Sequence, residues 1–426
     1  MSTATIVGGG PAGLIAAEIL ARAGVRVTVY DQMPSVGRKF LMAGHGGLNI
    51  THSEELPAFL GRYGESAGHL APALAAFSPA DLRSWCAGLG EETFVGSSRR
   101  VFPRSFRANA LYRAWLARLS ELGVTIVTKH RLVGWVPRQA DEADVDGQAP
   151  PGLRMQGADG EEFEVSSDVV ILALGGGSWP SLGSDGSWTS WLEEGGIAVS
   201  QLRSANVGLR VDWTARFATG FAGTPVKHLE LGVRDGEGAR VRGDAMITQE
   251  GIEGGPIYAL GASIRRALDS QGECWLELDL RPDLPIEQLV TKLQQRRPKD
   301  SSSSWLRRSA GLDAVSISLL WEANGSFPAT AAEAAALIKS LPVVTRETMP
   351  MERAISTAGG VAWSEVDENL MLRAVPGTFV AGEMLDWEAP TGGYLLQASF
   401  STGVVAANGA LARLGRAEAK GSVGAS

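Results

Sequence analysis

Apolar residues first gather in a short β-type run, Ala4 to Val7, and then in an Ala- and Leu-rich run to Ala23 that suits a helix. A second β-rich run, Val25 to Tyr30, follows directly. Residues 54 to 90 place Leu, Ala and Trp at helical spacing, broken by Pro57, Pro72 and Pro79, and so predict short helices. Ser78 before Pro79 predicts an N-cap with proline at the first helical position. A helix is expected from about Ala108 to Leu122, paired strands from Val124 to Val136, and a loop or turn of a β-meander at Gln139 to Gly152. Asp168 to Leu174 is a continuous apolar run suited to a strand buried on both faces.

From about Gln201 to Pro350 the pattern changes. Val207 to Val211, Leu229 to Val233 and Trp275 to Leu280 predict strands of an inserted sheet or barrel, and helical spacing continues from Tyr258 to about Leu268. Residues 285 to 340 read as a small helical subdomain, with Ser301 to Ser304 as a loop or N-terminal cap. The chain closes with a strand ending near Gly382 and an apolar helix running to about Leu414.

The strand–helix–strand at the start carries chemistry. Gly8, Gly10 and Gly13 form GxGxxG, with Pro11 and Ala12 between them, and Asp31 ends the second strand. Gly8 permits the turn, Gly10 lets backbone approach a pyrophosphate, and Gly13 lets helix and strand pack closely. The helix start offers unpaired N–H groups to the anion, and Asp31 can accept from a ribose hydroxyl. The Gly-rich loop Val36 to Ser53 adds Arg38, Lys39, His45, Asn49 and His52, suited to contact with phosphate or a flavin ring. Ser97 to Arg107 concentrates Arg99, Arg100, Arg104 and Arg107 around two phenylalanines, either a solvated loop or a rim for an anionic cofactor or substrate.

Gly175, Gly176 and Gly177 follow the buried strand, with Pro180 where a third motif glycine would stand. They read as a crossing point where backbone passes close to a cofactor. Near the C-terminus, GTFVAGE presents Gly382 and Glu383, with Asp386 just beyond, as carboxylates for ribityl hydroxyls. Thr391, Gly392, Gly393, Tyr394 and Leu395 then open the last helix, whose partial positive charge suits the pyrimidine side of a flavin. A fingerprint at one end and a carboxylate and helix at the other argue for FAD rather than NAD.

Composition narrows the picture. A chain of 426 residues exceeds what one core usually serves, so two or three domains are expected. The net charge of −8 offers no general attraction to nucleic acid or to an anionic membrane. Cys86 and Cys274 stand far apart, without CxxC or a His/Cys cluster, so neither a disulfide framework nor a metal site is expected. The run Ile6 to Ala23 has no preceding basic residue and is interrupted by Glu18 and Arg22. A cytoplasmic protein without targeting or membrane-spanning segment is expected.

With these motifs in view, the chain resembles the YhiN/BaiN-like flavoproteins, also labelled the aminoacetone-oxidase-like FAD-binding family. The stretches are VGGGPAGLIAAEILARAG, VGRKFLMAGHGGLNITHS, SRRVFPRSFRA, LALGGGSWPSLGSDG, TQEGIEGGPIY, STAGGV and AGEMLDWEAPTGGYLLQASFSTG. Where many relatives read GRCN, this chain has Gly46, Gly47, Leu48 and Asn49, and where many read THxGLSGP it has TQEGIEGGP, marking a distinct branch. The resemblance implies an α/β fold: a Rossmann-like FAD-binding domain with an inserted β-barrel-like domain and a small helical subdomain. The boundaries expected are 1–200 and 355–426 for the FAD-binding domain, 201–284 for the β-rich insertion, 285–340 for the helices and 341–354 for a return strand.

The activity expected is that of an FAD-dependent oxidoreductase acting on a small-molecule substrate, with the flavin reduced by NAD(P)H in transit or by an organic donor. Alternatives are a small-amine oxidase making hydrogen peroxide, a flavin-dependent reductase of uridine in RNA, and a non-catalytic redox sensor. His45, Glu250 and Tyr258 are the acid–base candidates.

Overall fold

The computed structural model describes residues 1–44, 46–136, 150–234, 236 and 240–416. Two compact units emerge, Met1–Arg203 with Ser356–Ser426, and Ser204–Ile355.

The first unit is built on a five-stranded parallel sheet, in the order Thr378–Val380, Val169–Leu172, Thr3–Val7, Arg26–Asp31, Thr125–Thr128. Because side chains alternate along a strand, Val169 and Ile171 enter one hydrophobic cluster while Val170 and Leu172 enter another. That is why this segment is apolar throughout. The helices Pro11–Arg22 and Tyr394–Arg413 meet closely: a Cβ on Gly403 would stand 2.4 Å from the Ala12 carbonyl oxygen. Ser78 caps the helix Pro79–Gly88 in a reciprocal capping box with Asp81. The helix Ala108–Glu121 follows the expected span.

The run Val124 to Val136 does not pair with itself. Thr125–Thr128 joins the parallel sheet beside Arg26–Asp31, whereas Arg131–Trp135 pairs antiparallel with Leu153–Gln156. Lys129, at φ 59°, turns the chain between them, and the amides of Lys129 and His130 donate to the carbonyls of Met33 and Asp31. Alternation alone could not reveal which neighbour each strand would take. Apart from residues 150–152, the loop expected at 139–152 lies outside the described residues.

The second unit carries a six-stranded sheet, in the order Leu209–Arg210, Gly251–Gly254, Val241–Ile247, Pro225–Val233, Cys274–Asp279, Leu341–Thr345, with antiparallel pairs throughout. The amide of Arg210 donates to the Glu347 carbonyl, just past the opposite edge strand, so the sheet curls toward closure. The helices Ile286–Leu293, Ser302–Ala310, Ala314–Asn324 and Ala331–Lys339 share one core with it, through residues such as Leu289, Trp305, Leu320 and Ile338 against Leu231, Leu276 and Leu278. Ser301 caps the second of these helices by accepting from the Ser304 amide. No described helix is long and apolar enough to cross a membrane.

Candidate cofactor site

The first strand ends at Gly8, where φ is 107° and a Cβ would stand 2.1 Å from the Ala173 carbonyl oxygen. A Cβ on Gly13 would reach the Gly8 carbonyl oxygen at 2.0 Å, so both glycines are required by backbone contact. Gly10 differs: its Cβ would meet nothing within 4 Å. The helix it precedes has Pro11 at its start and no side-chain cap, which leaves the first-turn N–H groups free for an anion. Asp31 supports the turn from the neighbouring strand, its two oxygens accepting from the amides of Gly9 and Met33 at 2.8 Å each. Burial pushes its carboxyl above the usual value, partly offset by those two bonds.

These residues line one cleft. Gly8, Gly10, Pro11, Ala12, Asp31, Arg38, Lys39, Gly175, Gly382 and Glu383 all face it. Lys39 Nζ donates to Glu383 Oε2 at 2.6 Å and to Ser178 Oγ at 2.8 Å, joining the N-terminal loop to the C-terminal carboxylate. Thr357 Oγ1 accepts from the amides of Gly177 and Ser178 and so fixes the glycine crossing. Arg38 Nε and Ser184 Oγ are buried without a hydrogen-bond partner among the described residues, and both residues face the cleft. A buried donor is ordinarily paired, so these two atoms await a ligand's acceptors.

Ser184 and Trp188 also line the cleft and were not singled out from sequence, although they lie in or just after the matching stretch LALGGGSWPSLGSDG. Gly13 lies beneath the turn and is not among the lining residues. Asp386 is also absent from the lining: its Oδ2 accepts from Ser200 Oγ at 2.6 Å, which turns it to a structural bond. Thr391 to Leu395 do not line the cleft either. Gly392 and Gly393 take positive φ, and a Cβ on Gly393 would stand 2.6 Å from Thr51 backbone atoms.

Tyr394 enters a separate network. Its hydroxyl donates to Glu54 Oε1 at 2.5 Å, Arg62 grips both Glu54 oxygens, and His52 stacks on its ring at 5.4 Å. Burial raises the Tyr394 phenol, and the Glu54 carboxylate adds to this, so it stays a donor across the ordinary pH range. His52 Nδ1 accepts from the Glu54 amide while Nε2 faces the Ser98 carbonyl, which requires the neutral tautomer protonated at Nε2. Burial, the largest influence, lowers its pKa accordingly.

Of the acid–base candidates, His45 lies outside the described residues. Glu250 belongs to the second unit and pairs with Arg353 at 2.8 Å, half-exposed. Tyr258 is in the same unit, its phenol raised by burial and by Glu253. Neither Glu250 nor Tyr258 is among the residues that line the cleft of the first unit.

The donor set fits FAD: an uncapped helix N-terminus, two unpaired buried donors, an acid on the second strand, and a carboxylate supplied by the returning chain. Such a parallel sheet and cleft define an FAD-dependent oxidoreductase. Within that class the chain belongs to the HI0933-like family, whose Rossmann-domain pattern matches residues 2–409.

Two curated relatives match along nearly their whole length. A 3-dehydro-bile acid delta(4,6)-reductase from Clostridium scindens is 28% identical over 426 residues, covering 97% of this chain and 100% of that protein. A ribosomal RNA dihydrouridine synthase from Haemophilus influenzae is 25% identical over 407 residues, covering 93% and 95%. The fold is also similar to that of 3-ketosteroid delta1-dehydrogenase from Sterolibacterium denitrificans in complex with 1,4-androstadiene-3,17-dione, at a TM-score of 0.53 and 13% identity, covering 97% of this chain and 100% of that one.

Proposed function

We propose that the protein is a reductase that adds two hydrogens across a carbon–carbon double bond conjugated to a carbonyl, using NADH or NADPH as a transient donor. One observation carries this reading: two full-length relatives bear names that state the reduction of an unsaturated ring, a delta(4,6)-reductase and a dihydrouridine synthase. The strands described in the second unit pair antiparallel throughout, which fits a nucleotide that visits rather than one held on a βαβ unit.

Bound in the cleft, FAD supplies the ability to take a hydride from a nicotinamide and to pass one to carbon. In this reading the amides after Gly10, with Arg38 Nε and Ser184 Oγ, bind its pyrophosphate region, and Asp31 accepts from the adenosine ribose. Glu383, tethered through one oxygen to Lys39, keeps the other for ribityl hydroxyls. Small molecules are the substrate class that the acidic charge balance favours over RNA.

The test is an anaerobic titration of the purified protein with NADH and then NADPH, following the visible flavin absorbance. Bleaching with either, and return of colour on adding a cyclic enone, is expected. Colour that persists with both nucleotides, together with oxygen uptake on adding a small amine, would replace the reductase by the amine-oxidase alternative.

A further inference from the structure

The chain between the glycine crossing and the helix Trp188–Glu194 is pinned at both ends. At its start Thr357 Oγ1 accepts from the amides of Gly177 and Ser178, and at its end Trp188 Nε1 donates to the Gly175 carbonyl at 2.9 Å, which closes the segment into a loop. Between these anchors Leu182, Gly183, Ser184 and Asp185 line the cleft. Facing them across it are Gln32, just past the strand Arg26–Asp31, and Arg131, at the start of the strand Arg131–Trp135.

Two links cross from one wall to the other. Gln32 Nε2 donates to the Gly183 carbonyl at 2.8 Å, and Arg131 Nη2 stands 3.5 Å from Asp185 Oδ2. The carboxylate is set for this pairing, because its Oδ1 accepts from the Ser187 amide and hydroxyl at 3.0 and 2.7 Å and Oδ2 is left for the guanidinium. Gly183 takes φ 97°, and a Cβ there would stand 2.6 Å from Met33 Cγ, so the loop rests directly on the residue after Gln32. Both links join protein atoms to protein atoms, and neither needs a ligand to form.

We propose that this loop is a strap closed over the adenosine half of FAD, and that Gln32 and Arg131 set how fast the cofactor enters and leaves. The proposal rests on the assignment of FAD to the cleft and is independent of the reductase reading. Gln32 follows Asp31 in the chain, and Arg131 follows His130, whose amide donates to the Asp31 carbonyl, so both links start beside the residue read as the ribose acceptor. A dinucleotide between the two walls is enclosed while the links are made, and the links must break before it can pass. A side chain that only grips the ligand slows its exit and leaves its entry alone, whereas one that holds a strap shut slows both. The Arg131–Asp185 pair is partly exposed and therefore open to screening by salt.

Stopped-flow mixing of apoprotein with FAD follows entry by flavin fluorescence, and dilution of the holoprotein follows exit. Gln32→Ala and Arg131→Gln should each raise both rates about fivefold, with the dissociation constant changed by less than about twofold. Arg131→Gln combined with Asp185→Asn should be no faster than Arg131→Gln alone. Sodium chloride at about 0.5 M should speed entry and exit in the wild type but not in Arg131→Gln. Faster exit with unchanged entry in both variants would overturn the proposal, since the two side chains would then be holding the cofactor itself, and unchanged rates in both would overturn it as well. Wild-type apoprotein that binds no FAD would remove the cofactor assignment and the strap with it, whereas FAD bound tightly at rates that neither variant alters removes the strap alone.

Discussion

Lys39 and Glu383, 344 positions apart in the chain, meet at 2.6 Å in the cleft. The lysine comes from the short helix Arg38–Ala43 that follows the second strand, and the glutamate from the turn after the last strand of the parallel sheet. This pair therefore ties the glycine-rich N-terminal half of the site to its C-terminal half, and Ser178 joins them from the glycine crossing.

Removing one member should loosen the cleft's hold on flavin. Glu383→Ala leaves Lys39 with only Ser178 and withdraws an acceptor for ligand hydroxyls, so the FAD dissociation constant should rise about tenfold, near 1.4 kcal/mol. Because the two residues act together, Lys39→Met with Glu383→Ala should lose little more than the worse single variant. Titrating apoprotein with FAD while following flavin fluorescence measures all three. Fully additive losses would show that the pair does not act as a unit.

Gly10 and Gly13 should fail in different ways. At Gly13 even alanine brings Cβ within 2.0 Å of the Gly8 carbonyl oxygen, so Gly13→Ala should lower the melting temperature of the protein with or without flavin. At Gly10, φ is −85° and the Cβ direction is empty, so Gly10→Val should fold with near-normal stability yet retain no flavin. Glu253→Gln, in the second unit, should retain it. Full flavin occupancy in purified Gly10→Val would remove the cofactor assignment.

The Gly8 to Asp31 turn was legible because strand, turn, helix and acid all lie within one short segment, and each part has a local signature. Lys39 and Glu383 were recognised one by one, but nothing local says that they meet. Val124 to Val136 suggests paired strands, and its two strands take other partners, because alternation reports which side of a strand is buried, not which strand lies beside it. Asp386 offers a carboxylate three positions from that of Glu383, and what the sequence does not reveal is that Asp386 bonds to Ser200 while Glu383 lines the cleft. Ser184 was overlooked, since a serine in a glycine-rich loop has no distinguishing pattern until its burial and missing partner are seen.

Glu18 is the clearest case of a residue whose sequence context misleads. It reads as a polar interruption of an apolar helix, yet it is fully buried. Its Oε2 accepts from the indoles of Trp85 and Trp115 at 3.1 and 2.9 Å, and its Oε1 from Arg22 and Arg118. Three helices are thereby joined at one carboxylate. Glu18→Leu would strand two indole N–H groups and the buried end of Arg118, and should destabilise folding by about 3–5 kcal/mol. Glu18→Gln keeps an acceptor and should lose less, about 1–3 kcal/mol. Urea denaturation gives both values, and a Glu18→Leu protein as stable as wild type would mean that the network contributes nothing net.

The Glu54 network sets a pH dependence with a definite sign. Burial pushes the Glu54 carboxyl upward, but hydrogen bonds from Arg62 and Tyr394 and the Arg62 charge outweigh it and hold the group below its ordinary 4.5. A carboxyl lowered on folding contributes stability that is complete above its unfolded value and is lost as pH falls through the folded one. Glu54→Gln should therefore be less stable than wild type at neutral pH, with the difference shrinking between about pH 5 and pH 3 as the wild-type group takes up its proton. Tyr394→Phe removes one donor and leaves the Arg62 bonds, so its curve should fall between the two. Melting temperature against pH for the three proteins decides the matter: parallel curves would mean that the Glu54 carboxylate is not held by these partners in solution.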